Sequence, residues 1–397
     1  MSAIDFDPEA PLAGPPDPWD STQQPSPRGG PPFHMTEMIA AEPALAERLL
    51  GRLAARDSGA WRLAAAIREV ATAGGSIVVT GCGTSEHGAL GVAEILGEAM
   101  SDAGVAGPRP VAAQAFELAL DPPSSGLVIG VSHEGGTAAT NRALEAGRAA
   151  GARTAIVTVS DRSPGATIAD VVVTTEELDQ SWCHTVGYVS PLLAAAAIGA
   201  ALRGVPVDAA AVRRLMAEGA RDTATAEAMA ATLADARHVI VIASGADRTA
   251  GRELTLKIEE AAWIPTAYRD LETFLHGHLP ATGEATGLVL ILADGRGREE
   301  RLARARQALA AAGAIGVSCA AIVSSGAGDA IEASLTRAGR LVVPETPALP
   351  AAVAALLATA TPLQLLTERI ARARGTDPDP IRRDDARYRA AAAQAEG

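Results

Sequence analysis

The sequence has 397 residues and a formal net charge of −13 at pH 7, and 48% of its residues are hydrophobic while only 3% are aromatic. The length suits two domains of ordinary size, and the apolar content excludes a chain that is disordered throughout. The acidic balance opposes binding to nucleic acid, because phosphates require a basic surface. No membrane span and no signal peptide are expected, so we predict a cytoplasmic protein.

The three cysteines, Cys82, Cys183 and Cys319, lie far apart in the sequence. An odd and scattered set does not predict a disulfide framework, and the lack of a C-x-x-C pair argues against a structural zinc site. We therefore expect no metal and no cofactor.

Proline-rich steps interrupt the first 33 residues, which contain few branched apolar side chains. They predict a disordered leader over residues 1–34. Apolar residues at helical spacing follow over residues 36–73, and this pattern predicts two helices before the first strand.

Strands and helices alternate from residue 76, a pattern typical of a parallel sheet with helices on both faces. We expect a first domain over residues 35–205, a second over 206–375, and a charged tail over 376–397 that packs on a domain surface or near a site. In the first domain the predicted strands are 76–80, 110–116, 127–132, 154–160 and 171–175, and the helices are 85–100, 137–150 and 185–203. In the second, a helical stretch over 208–234 precedes strands at 239–243, 265–270, 287–293, 319–323 and 341–343 and helices at 249–262, 298–311 and 349–373.

Two segments in the middle of the chain are alike. Gly126–Ser132 corresponds to Gly287–Ala293, and the strand before each of them runs into a glycine turn, at Gly83 and at Gly245. The two offsets agree to within one residue, which favours a tandem pair of similar α/β domains. Only the first copy has hydroxyl- and glycine-rich loops, so we expect that domain to bind an anion or a sugar.

Two loops of the first domain join a strand to a helix, and both are rich in small residues. Free N–H groups and the positive end of the helix dipole favour an anion or sugar oxygens after Gly81–Ser85, although a plain turn with a serine cap fits the same residues. Ser132–Thr137 follows the central strand, and ligands bind at the carboxyl ends of strands in open α/β sheets. The candidate binding residues are Gly83, Thr84, Ser85, Ser132, His133, Glu134, Gly135 and Thr137.

Candidate acid–base groups lie in the second domain. Glu259 and Glu260 end a helix and His276 follows in a loop, and a carboxylate with a histidine can move protons between carbon and oxygen. Surface glutamates and a loop histidine remain an alternative interpretation. His184, His276 and His278 form only a weak metal-ligand pattern.

The segment Ser181–Thr185 comes just before the long apolar helix of the first domain. Its polar and sulfur-bearing side chains suggest a pocket wall or a helix cap. A nucleophilic pair of Cys183 with His184 is disfavoured, because the side chains of adjacent residues rarely face each other.

Several motifs, taken together, are specific enough to indicate a protein family, although no one of them would be. They are Gly81–Ser85, Ser132–Thr137, Leu256–Glu260, His276-Gly277, Pro362–Leu366 and Ala373–Asp377. Over roughly residues 35–385 the chain resembles the tandem sugar isomerase (SIS) domain family, in particular the isomerase half of glutamine–fructose-6-phosphate aminotransferase and stand-alone phosphosugar isomerases and deaminases.

The resemblance implies two flavodoxin-like SIS domains, a homodimer, and aldose–ketose isomerisation or deamination of a sugar phosphate or a related sugar. Positions matching Ser85, Ser132, His133 and Thr137 hold the sugar phosphate in the family, and Thr185 lies near positions that touch the sugar. Glu260 matches the glutamate that moves the proton between C1 and C2, through a cis-enediol. His276 matches the histidine that opens the sugar ring, and it acts across the dimer interface in the aminotransferase.

Three departures from the family pattern bear on the substrate. Glu134 and Gly136 stand where the family usually has serine and glutamate, and a carboxylate beside a dianionic phosphate is repulsive unless it turns away or is neutralised. The tail over 377–386 lacks the lysine with which the aminotransferase forms a Schiff base, and we expect no glutaminase domain before Met35. An isomerase for an unphosphorylated or sulfonated sugar, or a non-catalytic carbohydrate-binding module, therefore remains open.

Overall fold

The computed structural model describes residues 28–395 and contains two five-stranded sheets. Every strand pairs in parallel with its neighbours. The strands of the first sheet are β1 (Ile77–Gly81), β2 (Val111–Gln114), β3 (Leu127–Val131), β4 (Arg153–Thr158) and β5 (Val171–Thr174). Those of the second sheet are β6 (His238–Ala243), β7 (Thr266–Asp270), β8 (Thr286–Leu292), β9 (Ser318–Ser324) and β10 (Gly339–Val343).

Helices surround both sheets. In the first half they are α1 (His34–Leu53), α2 (Gly59–Thr72), α3 (Thr84–Asp102), α4 (Ala115–Leu120), α5 (Ala138–Ala150), α6 (Pro164–Ile168) and α7 (Val186–Arg203). In the second half they are α8 (Ala209–Gly219), α9 (Thr223–Ala234), α10 (Asp247–Ala262), α11 (Leu271–Phe274), α12 (Arg298–Ala314), α13 (Ser325–Ala330), α14 (Ala351–Arg374) and α15 (Ala386–Ala395). The predicted fold class, two flavodoxin-like α/β domains in tandem, is confirmed.

The two sheets share one topology. The strand order is β2-β1-β3-β4-β5 in the first sheet and β7-β6-β8-β9-β10 in the second. In this doubly wound order the connections leave the sheet on opposite sides from β1 and β3, and the crevice between those two strand ends is where ligands bind. The fold therefore directs attention to the loops that follow β1 and β3.

A continuous apolar core runs through both halves of the molecule. The halves meet where α3 and α7 pack against α10 and α14. Both α7 and α14 are long and apolar enough to cross a membrane, but 83% and 89% of their apolar windows are buried within the fold. Their apolar composition is thus explained by their position in the core.

The short helices α4, α6, α11 and α13 were not expected from the sequence. Each has six residues or fewer, too few to display a helical period. The leader predicted for residues 1–34 lies largely outside the described residues. Within the described part, α1 begins at His34, where both oxygens of the Asp379 carboxylate accept backbone N–H bonds from His34 and Met35, at 2.7 and 2.9 Å.

Glu42 is a fully buried carboxyl group on α1, and its Oε2 accepts a hydrogen bond from the Thr361 hydroxyl at 3.2 Å. Burial raises its pKa well above the ordinary value of 4.5. The folded chain therefore holds this proton at pH values where the unfolded chain has lost it, and the contribution to stability falls as the pH rises above about 4.5.

We expect Glu42→Gln to melt progressively higher than the wild type as the pH rises from about 5 to about 8, because the amide has no proton to lose. Thermal melts at several pH values measure this slope. Glu145→Gln, on a surface position of α5, serves as the control. Parallel pH slopes for Glu42→Gln and the wild type would contradict a neutral Glu42.

Candidate functional site

Two helix N-termini open at the same edge of the first sheet. Helix α3 begins after Gly83 and α5 begins after Thr137, and neither helix has a side-chain cap. Because β1 and β3 are neighbouring parallel strands, both loops leave at their carboxyl ends. Uncapped N–H groups and two helix dipoles therefore converge on the crevice between these strands, an arrangement that attracts anions or sugar oxygens.

Two glycines allow these loops to come close to their neighbours. Gly135 has a φ of +69°, and a Cβ there would lie 2.2 Å from the Ser163 hydroxyl. A Cβ on Gly81 would lie 2.5 Å from the carbonyl oxygen of Ser85. Any larger residue at either position would displace the loop, since real Cβ contacts are not shorter than about 3 Å.

His133 supports the second loop as a neutral ring. Its Nε2 accepts the backbone N–H of Asp179 at 2.9 Å, and its ring lies 5.2 Å from that of His184, centroid to centroid. Burial and the neighbouring His184 lower the pKa of His133 to about 3. His133 therefore brings no positive charge to a bound anion.

Asp179 organises the segment before α7, and sequence reasoning missed it. Its carboxylate accepts backbone N–H bonds from Thr185 at 2.6 Å and from Gly187 at 3.1 Å, so it caps the start of α7. The Thr185 hydroxyl is fully buried and lies 3.4 Å from the same carboxylate. The signal that was present is an acidic residue shortly before an apolar helix.

Glu134 is exposed at the surface of its loop. Partial desolvation and the nearby Asp179 raise the pKa of Glu134. Exposure and easier protonation both reduce the repulsion that this carboxylate would exert on a bound anion.

Glu260 forms an ion pair with Lys257 one turn earlier on α10, with 2.5 Å between Oε2 and Nζ. Lys257 is fully buried and is the only lysine in the sequence, while the side chain of Glu260 is 21% exposed. Burial raises the pKa of Glu260, and the charge of Lys257 partly opposes this. A carboxylate tuned upward in this way is suited to accepting and returning a proton.

A second carboxylate, Glu253, lies on the other side of Lys257. Its Oε1 is 3.7 Å from Nζ of Lys257, and its Oε2 is 2.7 Å from Nδ1 of His87 on α3. Glu253 is fully buried. Sequence reasoning missed Lys257, Glu253 and His87, although the four-residue spacing of Glu253 and Lys257 on one helix was a usable signal.

The segment before α7 brings the first domain to this cluster. Cys183 is fully buried, and burial raises the pKa of its thiol well above the ordinary value. A protonated, buried thiol does not act as a nucleophile, so the alternative of a reactive Cys183–His184 pair has no support. Burial and the charge of Lys257 lower the pKa of His184 to about 3. Through His133 and His184 the loop after β3 is thus linked to Lys257 and Glu260.

His276 makes its polar contact outside this cluster within one chain. Its side chain is 67% exposed, and its Nε2 is 2.7 Å from Oε1 of Glu272, which also pairs with Arg304. Within the described part of the chain, no hydrogen bond or ion pair joins His276 to Glu260. His278 is bonded instead to Arg269, and residues 28–395 contain no group of three side chains suited to a metal ion.

The C-terminal tail packs beside the cluster. The Thr376 hydroxyl donates to the carbonyl oxygen of Ala261 at 2.7 Å. The guanidinium of Arg382 lies 4.4 Å from the ring centre of Trp263, and that of Arg383 lies 4.8 Å from that of Trp182. Arginines on aromatic rings thus border the segments that carry Glu260 and Cys183.

Comparison with known proteins agrees with this architecture. Residues 232–368, in the second half of the chain, match the family model described as SIS domain. Together with the two matching sheets, this confirms the resemblance to the SIS family. No curated protein is significantly similar in sequence to this chain.

Solved structures with the same fold cover almost the whole chain. The C-terminal domain of glucosamine-fructose-6-phosphate aminotransferase from Francisella tularensis is 18% identical with a TM-score of 0.74, and the match covers 89% of this chain and all of that one. Tagatose-6-phosphate ketose/aldose isomerase from Escherichia coli is 16% identical with a TM-score of 0.69, covering 91% of this chain and 98% of that one. Glucosamine-6-phosphate deaminase from Thermotoga maritima is 16% identical with a TM-score of 0.65, covering 87% and 96%. At these identities the likeness establishes the fold.

Proposed function

We propose that this protein is a sugar isomerase or amino-sugar deaminase that moves a proton between C1 and C2 of a sugar phosphate. The observation that carries the proposal is the Lys257–Glu260 ion pair at the contact between the two domains, in which Lys257 is fully buried, Glu260 is partly exposed, and 2.5 Å separates Nζ from Oε2. The names of the similar structures, two enzymes that act on hexose phosphates and the C-terminal domain of an aminotransferase, support the same class of substrate.

The uncapped N-termini of α3 and α5 anchor the far end of the substrate. Their N–H groups donate to phosphate or sugar oxygens, and the hydroxyls of Thr84, Ser85 and Thr137 add further donors. Neither loop at the crevice contains an arginine or a lysine, so recognition of the substrate relies on backbone dipoles.

The chemistry is a proton transfer by Glu260. In the ketose-to-aldose direction, Glu260 removes the C1 proton and the C1–H electrons form the C1–C2 double bond. The C2 carbonyl oxygen takes the displaced π electrons and a proton from solvent water, which gives the cis-enediol. Glu260 then returns its proton to C2, where the C1–C2 π electrons form the new C–H bond, while the C1 hydroxyl gives its proton to solvent water and becomes the aldehyde. The ammonium of Lys257 stabilises the negative charge that develops on these oxygens, and it favours the ionised form of Glu260 at the start of each turnover, when the carboxylate must accept a proton.

His276 serves ring opening in a neighbouring subunit. Its side chain is exposed and separate from Glu260 in its own chain, which suits delivery of the imidazole across an interface between two copies. The proposed assembly is therefore a homodimer in which each site combines Glu260 of one protomer with the partner's His276. A cytoplasmic location fits substrates of this class.

Deuterium exchange tests the proposal. The purified protein is incubated in D2O with fructose 6-phosphate, with glucosamine 6-phosphate, with free fructose and with a sulfonated hexose, and NMR follows the C1 and C2 protons. We expect exchange with a phosphosugar, and release of ammonia from the amino sugar identifies a deaminase. If none of these sugars exchanges a proton, the enzymatic proposal is overturned.

A second candidate is an isomerase for an unphosphorylated sugar, and the observation that favours it is Glu134 in the anchoring loop. Exchange with free fructose alone would support it. If a sugar raises the melting temperature but exchanges no proton, the protein is a carbohydrate-binding module instead.

A further inference from the structure

His87 connects the anchoring loop of the first domain to α10 of the second. Its backbone N–H donates to the carbonyl oxygen of Gly83 at 3.1 Å, in the first turn of α3. Its Nδ1 lies 2.7 Å from Oε2 of Glu253, whose side chain is fully buried. One residue therefore touches both the loop that is proposed to hold the substrate and the charged cluster that is proposed to transfer the proton.

The ammonium of Lys257 lies between two carboxylates that compete for it. Nζ is 2.5 Å from Glu260 but 3.7 Å from Glu253, although both acids are on the same helix. A buried carboxylate without a partner is costly, and it would draw the flexible lysine side chain toward itself. Because His87 already occupies one oxygen of Glu253, the ammonium is left to Glu260.

We propose that His87 is a positioning residue that holds Lys257 on Glu260 by engaging Glu253 across the domain contact. This inference rests on the proposed function, since it concerns the same proton-transfer pair. It couples ligand binding to proton transfer. A ligand that draws the first turn of α3 toward itself also changes the contact of His87 with Glu253, and therefore the contact of Lys257 with Glu260.

The groups around the cluster do not replace His87 in this role. Cys183 and His184 face Lys257 from the segment before α7, and burial keeps the thiol protonated and the imidazole neutral by raising the pKa of the first and lowering the pKa of the second. Tyr188 on α7 faces Glu253 and the buried Asp247, and burial raises the pKa of this phenol well above its ordinary value. Among the described residues, Lys257 and His87 are the two basic side chains whose nitrogens lie within 4 Å of the Glu253 carboxylate.

A single lysine makes the proposal measurable without any substrate. Protein grown with lysine labelled with 13C at Cε and 15N at Nζ gives one resonance set, that of Lys257. We expect His87→Leu to move this resonance in the same direction as Glu260→Gln does, because both loosen the ammonium from Glu260. His87→Asn, whose side-chain amide can still donate to Glu253, is expected to keep the resonance near its wild-type position.

Activity gives an independent readout. For His87→Leu we expect kcat of proton exchange to fall about 10-fold with little change in KM, and the acid limb of the pH profile to move up by about one unit. The acid limb moves to higher pH because Glu260 ionises at a higher pH when the ammonium of Lys257 is no longer beside it. His87→Asn should restore most of kcat.

The outcomes separate this inference from the proposed function. A folded His87→Leu variant whose Lys257 resonance stays at the wild-type position would overturn the positioning role, whether or not the wild type turns over a sugar. If the wild type exchanges no proton with any sugar, the proposed function fails while the NMR comparison still decides the role of His87. Should His87→Leu not fold, the Lys257 resonance in His87→Asn decides. Loss of the wild-type position in this variant contradicts the proposal.

Discussion

Glu260→Gln is expected to lower proton exchange at C1 and C2 by about 100- to 10,000-fold, the range that a positioned general base contributes. The amide has nearly the shape of the carboxylate but cannot accept a proton. The loops after β1 and β3 are unchanged, so sugar binding, measured as a rise in melting temperature with saturating ligand, is expected to persist.

The neighbouring residue offers a matched control for this variant. Glu259 is exposed, and its Oε1 accepts the backbone N–H of Thr266 at 3.0 Å, a bond that the oxygen of a glutamine can keep. Glu259→Gln should therefore exchange protons at close to the wild-type rate. Full turnover by Glu260→Gln would remove Glu260 from the role of base, and equal loss in both variants would point to damage at the end of α10.

Lys257→Met is expected to destabilise the fold by about 3–5 kcal/mol, because it leaves a buried carboxylate and its neighbour without their shared cation. Chemical denaturation at neutral pH measures this loss. Adding Glu253→Gln to Lys257→Met should recover part of the stability, since the second change removes a buried charge that has lost its partner.

The pH dependence of the stability of Lys257→Met tests whether the missing positive charge causes the loss. Since burial raises the pKa of Glu260, its carboxyl is neutralised readily as the pH falls, and the cost of losing Lys257 should be smaller at about pH 5 than at about pH 8. Arg142→Met, on an exposed position of α5, should stay within about 0.5 kcal/mol of the wild type. A loss that is the same at both pH values would indicate that the substituted side chain only packs badly and that the missing charge plays no part.

Much of the fold was predictable because it depends on patterns among residues that are close together in the sequence. Branched apolar runs marked the buried strands, and ends of long helices such as α10 and α12 fell within three residues of the predicted bounds. Turn glycines such as Gly83 and Gly135 marked the loops at the strand ends, and both have the positive φ that glycine adopts most readily. Short elements such as α4 and α11 escaped, since half a dozen residues or fewer show no period.

The candidate site divides differently. The residue pattern offered the two loops, Glu259-Glu260 and His276 as candidates, and the family resemblance singled out Glu260. Parallel strand order alone was enough to bring both loops to one sheet edge. Spacing could not reveal that His133 is a neutral support, that Asp179 holds the start of α7, or that His276 is separate from Glu260 within one chain. The support that His133 gives depends on a contact between distant parts of the chain, since the backbone N–H that its ring accepts belongs to Asp179, 46 residues later.

The sequence by itself determined the class of fold and the edge of the sheet at which chemistry is expected, because periodicity and turn residues act over a few neighbouring positions. Only the tertiary structure decided the electrostatics of the base. The pKa of Glu260 depends on burial between two domains and on the single lysine beside it, and the position of that lysine depends on Glu253 and on a histidine from the other domain. Burial and charge pairing are properties of the packed chain, so they emerge only when α3 and α10 come together.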